Sequence, residues 1–233
     1  MAKVFIGVGH GGTDPGAVAG GYKEKDLNLV IALACRAELE RHGVETMMSR
    51  TVDEDETIGG KVQKSNDFGA DLAMDIHNNA GGGDGAEVYY SRTGYGKILA
   101  ENILEAFQAI GQNSRGAKTK LNSSGMDYFG FIRNTHAPAV LVECAFLDNA
   151  KDLEIINTVE KQKNFGVAIA KGVLKTLGLA WQEQAEQGQE DTAKQLYRVQ
   201  VGAYALKENA EKMLERLKKA GFADAYIRVL EGV

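Results

Sequence analysis

Two histidines stand where short apolar runs meet glycine-rich segments. His10 follows the run VFIGV and begins HGGTDPGAVAGG, while His77 follows DLAMDI and begins HNNAGGGDG. Imidazole nitrogens are common zinc ligands, so two histidines in matching contexts favour a shared metal. The alternative interpretation, for each one taken singly, is a strand-end histidine that is hydrogen-bonded to backbone.

Two glutamates are candidates for the same chemistry. Glu143 follows four apolar residues in AVLVE, and a carboxylate there is desolvated unless a cation or a donor satisfies it. Glu24 begins a predicted helix, where an acid is commonly just a favourable contact with the helix dipole. Two imidazoles and one carboxylate around an open position form a usual catalytic zinc set. The chain has no HExxH signature, so spacing alone does not select the third ligand.

The other two histidines and the two cysteines have simpler interpretations. His42 lies at a predicted helix end, where it interacts with the C-terminal dipole. His136 lies in the loop before the Glu143 segment, and we favour a solvated loop residue over one that lines a cleft. Cys35 and Cys144 lie in apolar surroundings, which favours small buried thiols over a disulfide or a metal pair.

The elements that must position these residues alternate along the chain. Short β-rich segments cover residues 4–8, 44–49, 71–76, 86–91 and 139–144, and helical patterns cover residues 24–41, 57–68, 95–110 and 152–177. This order predicts an α/β fold, with a mostly parallel sheet and helices on both faces. Ligands of such sheets bind at the carboxyl ends of the strands, where His10, His77 and Glu143 are expected.

Length and composition restrict the function classes. The 233 residues, 44% of them hydrophobic and 25% charged, are enough for one α/β core and a small appendage. The net charge of −5 argues against nucleic acid as a partner, because phosphate neutralisation needs clustered lysine and arginine. No run approaches the ~20 apolar residues of a membrane span. The start MAKVFIGVGHGG becomes polar too early for a signal peptide, so we expect synthesis in the cytoplasm without one.

The C-terminal region differs in charge from the rest of the chain. Residues 181–193, WQEQAEQGQEDTA, contain four acids and no base, which is typical of a solvated linker. Residues 194–230 then contain eight basic and four acidic residues. Their pattern predicts a strand at 197–201, a helix at 207–220 and a strand at 225–230. We therefore expect a small β-α-β module after an acidic linker.

Four segments carry a resemblance to a known family. GHGGTDPGAVAGGYKEKDLNL, DIHNNAGGGDGAEVYY, SRGAKTKLN and RNTHAPAVLVECAFLDNAKD occur in this order. Together, over residues 3–178, they resemble the zinc-dependent N-acetylmuramoyl-L-alanine amidases that cut bacterial cell wall. The resemblance implies that His10, Glu24 and His77 bind zinc and that Glu143 is the catalytic glutamate. Cleavage is then expected between the lactyl group of N-acetylmuramic acid and L-alanine of the stem peptide.

Further residues in the matching segments are candidate substrate contacts. Asn79 lies just after His77, while Arg115 and Arg133 lie in the third and fourth segments. An arginine side chain suits the carboxylates of stem peptides through a bidentate contact. An ordinary surface role is the alternative for each of these residues.

The C-terminal module carries a second resemblance. The motifs RVQVGAY and KKAGF are similar to one half of a sporulation-related repeat, a peptidoglycan-binding module that usually has two halves. A two-stranded half buries too little core to be stable alone. It must pack on its own catalytic domain, remain loosely folded, or pair with a copy. Pairing predicts a homodimer through residues 194–233.

These observations predict three parts of the chain. Residues 1–180 form a zinc amidase domain, residues 181–193 a linker and residues 194–233 a wall-binding half-module. The partner is bacterial peptidoglycan, on which an endolysin or autolysin acts after release from the cytoplasm. One alternative is a zinc peptidase that cuts within stem peptides. Another is a non-catalytic peptidoglycan-binding protein, although such a protein would not need all four candidate residues.

Overall fold

A six-stranded sheet forms the centre of the larger of two units. The computed structural model of the chain describes residues 1–183, 201–202, 204, 206–219, 225–227 and 229. The chain divides into an N-terminal unit, Met1–Gln182, and a C-terminal unit, Glu183–Val233. The strands of the N-terminal unit are β1 (Lys3–Val8), β2 (Val18–Ala19), β3 (Tyr22–Lys23), β4 (Glu45–Met48), β5 (Leu72–Asn79), β6 (Ala86–Tyr90), β7 (Ser114–Lys118) and β8 (Ala139–Phe146).

The sheet order is β4-β1-β5-β8-β6-β7, and β2 pairs separately with β3. Strands β4, β1, β5 and β8 are parallel to one another, while β6 runs antiparallel to β8 and parallel to β7. The expectation of a mostly parallel α/β sheet is therefore confirmed.

Helices cover both faces of this sheet. They are α1 (Glu24–Arg41), α2 (Ile58–Phe68), α3 (Lys97–Ala109), α4 (Gly130–Asn134), α5 (Ala150–Ile156) and α6 (Val159–Thr176). On one face, α6 packs against both α1 and α3 over the main core. Gly166 and Gly172 permit this packing, because a Cβ atom there would lie 2.4 Å from Ile31 O and 2.7 Å from Ile103 Cα.

Fewer apolar residues cover the second face of the sheet, and His77 and Glu143 lie on that face. Phe5 and Ala73 pack there against Phe131 of α4, and α2 packs against α4. Side chains alternate between the two faces of a strand, so Ala73, Asp75 and His77 of β5 share this face. The strand β5 thus changes from apolar to polar toward its carboxyl end.

The structure differs from the expected elements in three places. The helix predicted over residues 152–177 is two helices, because Thr158 caps α6 by accepting a hydrogen bond from Lys161 N, and Asn149 caps α5. The short strands β2, β3 and β7 and the five-residue helix α4 are not among the predicted elements, since none of them has a clear apolar period. Strand β5 runs three residues further than predicted, so His77 lies inside it rather than after it, and β8 runs two residues further, so Glu143 is not at its end.

The two cysteines of the N-terminal unit have the predicted environment, whereas Trp181 packs on the unit rather than in a solvated linker. Cys35 and Cys144 are buried free thiols, as predicted. Trp181, the first residue of the expected linker, stacks against His42 with 4.7 Å between ring centroids. No helix among the described residues combines the length and apolarity that a membrane crossing needs.

The C-terminal unit is described mainly through one helix, α7 (Lys207–Lys219). It matches the predicted helix, whose last residue, 220, lies outside the described residues. Of the strand expected at 197–201, only Val201 is described, and the described residues of the 225–230 segment are not in a strand. On α7 the partly buried side chains form one apolar stripe, which consists of Ala210, Met213, Leu214 and Leu217.

Candidate active site

His10 lies in a backbone conformation that few side chains adopt. Its φ of 56° is the only positive value at a non-glycine residue in the described part of the chain. Gly9 N still donates to Ile76 O at 2.9 Å, so the chain leaves the sheet at His10 itself. The ring then places Nε2 3.1 Å from Glu24 Oε2 and Nδ1 2.7 Å from Asp14 Oδ2.

Glu24 is a buried carboxylate that the backbone holds from several sides. It begins α1 and is 4% exposed. Its Oε2 accepts from Ala17 N at 2.9 Å, and its Oε1 accepts from Asn78 N at 3.1 Å and from Asn28 Nδ2 at 3.2 Å. These donors fix both oxygens, so the carboxylate is oriented by more than its contacts with the histidines.

His77 completes a cluster around this carboxylate. Its Nδ1 lies 2.9 Å from Glu24 Oε1, and its ring meets that of His10 edge to face with 5.0 Å between centroids. One ligand atom from each of His10, Glu24 and His77 lies within 4.8 Å of the others. The structure thus brings together the three residues that the family resemblance implied as zinc ligands.

Two glycines provide the space for this cluster. A Cβ atom on Gly9 would lie 2.5 Å from His77 Cε1. A Cβ atom on Gly16 would lie 2.6 Å from both Glu24 Oε2 and His10 Cδ2, and its φ of +65° independently favours glycine. Side chains at these positions would displace the rings and the carboxylate.

A buried arginine ties the His10 segment to α1. Arg50, 2% exposed, donates through Nε to His10 O at 2.8 Å. Its Nη2 donates to Gly9 O at 3.2 Å and to Lys25 O at 2.9 Å. The guanidinium therefore links the backbone beside two of the clustered residues.

Glu143 lies beside the cluster and has an oxygen available. On β8 it is in register with His77 of β5 and with Glu87 of β6. Its Oε2 is buried and has no hydrogen-bond partner among the described residues. Burial raises the pKa of Glu143 to about 7.

The cluster has an excess of negative charge. Burial by itself would lower the pKa of His77, but Asp75 and Glu24 outweigh it and raise this pKa to about 10. Burial likewise opposes ionisation of Glu24, yet the two histidines hold its pKa below the usual range. The surroundings therefore favour positive charge between these side chains.

The donor set fits a zinc ion. Two imidazoles and one carboxylate with a further open position are the usual ligands of catalytic zinc. Each imidazole also has a carboxylate near its second nitrogen, Asp14 for His10 and Asp75 for His77. Such outer carboxylates are typical of zinc-bound histidines.

A second polar cluster lies next to Glu143. Glu87, 4% exposed, accepts from Arg115 Nε at 2.9 Å, from Lys118 Nζ at 2.5 Å and from Asn79 Nδ2 at 3.2 Å. The Arg115 guanidinium also lies over the Phe146 ring, 5.1 Å from its centroid. Two of the three candidate substrate contacts are thus placed beside the candidate catalytic glutamate.

The third candidate, Arg133, lies elsewhere. It lines a cavity of about 390 Å³ together with His136 and Ala139. Ala139 begins β8 four residues before Glu143, which is about 13 Å along a strand. Arg133 Nη1 donates to Asp127 O at 2.6 Å and to Tyr128 O at 3.1 Å, which holds it at that cavity.

Several residues of the site were not found from the sequence. Asp75 lies in an otherwise apolar strand, and its spacing of two residues from His77 places both side chains on one face. The partner of Asp75, Lys61, lies on a helix whose pattern gave no sign of a buried charge. Glu87 had the same signal as Asp75, a carboxylate within a β-rich run. Arg50 had no local signal, because its acceptors are backbone carbonyls.

Comparison with known proteins identifies the family. Residues 4–175 match the profile described as N-acetylmuramoyl-L-alanine amidase. The chain belongs to this family. Residues 170–232 match the SPOR domain. Both resemblances inferred from the sequence motifs are therefore confirmed.

Relatives and solved structures agree with this assignment. The chain is 35% identical over 227 residues to the sporulation-specific N-acetylmuramoyl-L-alanine amidase of Bacillus subtilis, which covers 95% of this chain and 83% of that protein. It is 36% identical over 230 residues to the N-acetylmuramoyl-L-alanine amidase CwlM of Bacillus licheniformis, with the same coverage. The structure of the catalytic domain of the amidase CwlV from Bacillus (Paenibacillus) polymyxa superposes with a TM-score of 0.70 at 30% identity, over 77% of this chain and 100% of that one.

Proposed function

We propose that the protein is a cell-wall N-acetylmuramoyl-L-alanine amidase that uses zinc held by His10, Glu24 and His77. The bond cut is the amide between the lactyl group of N-acetylmuramic acid and L-alanine of the stem peptide. The observation that carries the proposal is the Glu24 carboxylate fixed between two imidazoles, with Glu143 in register beside His77. Family membership supplies the substrate class.

Glu143 is proposed to handle the proton. When bound, zinc supplies a Lewis acid that activates water and polarises the amide carbonyl. The unpartnered Oε2 of Glu143 faces no competing donor among the described residues, so it can accept a proton from the attacking water. The same carboxyl group then returns the proton to the departing nitrogen, which otherwise leaves poorly.

The cations beside Glu143 are proposed to bind the stem peptide. Arg115 and Lys118 are each about one-third exposed, and the buried Glu87 accepts from Arg115 Nε and from Lys118 Nζ. Their remaining N–H groups can donate to a substrate carboxylate. Asn79 lies on the same polar cluster and can contact the substrate through its amide. Arg133 would contact only a part of the wall polymer that reaches the separate cavity.

The C-terminal unit is proposed to bind peptidoglycan and to dimerise. Its sequence matches the SPOR domain, and the apolar stripe of α7 would pack on a second copy. The domain limits proposed are residues 1–180 for catalysis, 181–193 for the linker and 194–233 for wall binding.

Product analysis of digested peptidoglycan tests the proposed reaction. The full chain, loaded with zinc, should release peptides with a free L-alanine amino terminus and leave free muramic lactyl carboxylates. A cut inside the stem peptide would instead indicate the zinc peptidase alternative. Binding without any new amino terminus would indicate a non-catalytic wall protein. Glu143→Gln is the matched control, because it keeps the size of the side chain and removes its charge.

A further inference from the structure

A buried ion pair lies directly behind His77. Lys61 of α2 is 3% exposed and Asp75 of β5 is 2% exposed. Lys61 Nζ lies 2.8 Å from Asp75 Oδ1 and 3.1 Å from Oδ2, so it contacts both carboxylate oxygens. The second oxygen also faces the histidine, with His77 Nε2 3.4 Å from Asp75 Oδ2.

Strand β1 makes room for this arrangement. Gly7 is in register with Asp75, and a Cβ atom there would lie 2.6 Å from Asp75 Oδ1. Gly9, two residues later on the same side, would place its Cβ 2.5 Å from the His77 ring. Neither residue has a positive φ. Both glycines are therefore needed for space, and the space contains the carboxylate and the ring that it faces.

Stability alone does not account for a charged pair at this position. The desolvation free energy of a buried ion pair often equals or exceeds the attraction between its two charges. A protein with well-packed apolar residues of similar size in its place is frequently as stable. The neighbouring side chains on this face, Phe5, Ala73 and Phe131, form such an apolar cluster. The pair must therefore contribute something other than net stability.

We propose that the Lys61–Asp75 pair is a positioning element for His77. Lys61 fixes both oxygens of Asp75, and Asp75 holds the Nε2 side of the ring, so that Nδ1 stays turned toward Glu24. In metal sites, an outer carboxylate of this kind fixes the tautomer and the orientation of a ligating histidine. This inference rests on the proposed zinc site. It adds Asp75 and Lys61 as positioning residues for its ligand His77.

The test measures zinc affinity separately from folding, on the full chain. Asp75→Asn removes the charge at constant size, and the double variant Lys61→Met with Asp75→Asn also avoids a buried unpaired lysine. Zinc affinity is measured by competition with a chelator, and folding by the melting temperature of the zinc-free protein. A buried α6 residue on the other sheet face provides the control, Val173→Ala, which loosens the core at a distance from His77.

The double variant should fold and bind zinc about 10- to 100-fold more weakly than the wild type. Val173→Ala should lower the melting temperature and leave zinc affinity unchanged.

Two results would overturn the inference: wild-type zinc affinity in the double variant, or an equal weakening of zinc binding by Val173→Ala. If Asp75→Asn alone does not fold, the double variant still decides the question. A wild-type chain that binds no zinc would contradict the proposed metal site itself. Zinc binding that does not depend on Asp75 would contradict only the positioning role of the ion pair.

Discussion

Each histidine of the site has a carboxylate beside the ring nitrogen that does not face Glu24, but the two carboxylates differ in exposure to water. His10 Nδ1 faces Asp14, whose side chain is 63% exposed, whereas His77 Nε2 faces Asp75, whose side chain is 4% exposed. Water screens the first contact much more than the second. We therefore expect His77 to be the more rigid ligand, with His10 adjusting to the metal through its glycine-rich segment.

Removal of His77 should remove the metal. His77→Ala leaves two of the three ligands, which is too few for a stable zinc site, so we expect zinc content to fall from about one per chain to near zero. Elemental analysis after dialysis measures this. His136→Ala is the control, because that exposed histidine lies in the separate cavity. Full zinc occupancy in His77→Ala would disprove the ligand assignment.

Removal of the Glu143 charge should separate catalysis from binding. Glu143→Gln is expected to keep zinc and wall binding and to lose turnover by ~10²-fold or more, because a general base is removed. Hydrolysis of purified peptidoglycan measures turnover, and sedimentation with the insoluble wall measures binding. Near-normal turnover in this variant would mean that another group accepts the proton.

The position of the site residues depends on the close approach of strands β1 and β5. Gly7 of β1 and Gly9 just after it have no side chain, and Asp75 and His77 of β5 occupy the space beside them. The chain then turns at His10 so that its imidazole meets Glu24 at the start of α1. The ligands thus come from two strand ends and one helix start, which is the usual position of sites in α/β sheets.

A single methyl group at Gly9 should disturb this arrangement. Gly9→Ala places a carbon 2.5 Å from His77 Cε1 and 2.7 Å from Asn28 Nδ2, so the ring must move. We expect a loss of about 1–3 kcal/mol in folding free energy, as for other overpacked sites, and a lower zinc content. Denaturant unfolding and metal analysis measure the two effects.

The matched control for this glycine is Gly59→Ala. Gly59 is exposed in α2, and a Cβ atom there would meet nothing within 4 Å. Alanine should stabilise the helix by about 0.5–1 kcal/mol and leave the metal unaffected. A Gly9→Ala protein with normal stability and zinc content would show that the ring has room to move.

The sequence predicts the elements of this site better than its supporting contacts. Apolar runs bounded by glycine locate β1, β5 and β8, and the motifs around His10 and His77 locate the ligands. Lys61 and Arg50 could not be found this way, because Asp75 is 14 residues from Lys61 and the acceptor His10 O is 40 residues from Arg50, so each contact depends on how the chain packs. The division of α5 from α6 was missed because the apolar pattern continues through Thr158.

At the scale of the whole molecule, a catalytic unit is joined to a unit that matches the SPOR domain. The catalytic unit offers a site at one sheet edge with a cationic rim formed by Arg115 and Lys118. An insoluble polymer is attacked at many neighbouring bonds, so a second binding unit raises the local concentration of substrate around that site. This gain would be larger if two chains acted together.

The apolar stripe of α7 gives the means to test such pairing. This stripe needs a partner surface, and pairing of two half-modules about a two-fold axis would supply one. Its residues are Ala210, Met213, Leu214 and Leu217. The full chain is expected to sediment as a dimer at tens of micromolar, and Leu214→Glu should shift it to monomer by placing a charge on the stripe. Asn209→Glu, at an exposed position of the same helix, adds the same charge and should remain dimeric. A monomeric wild type, or equal dissociation of both variants, would contradict pairing through the stripe.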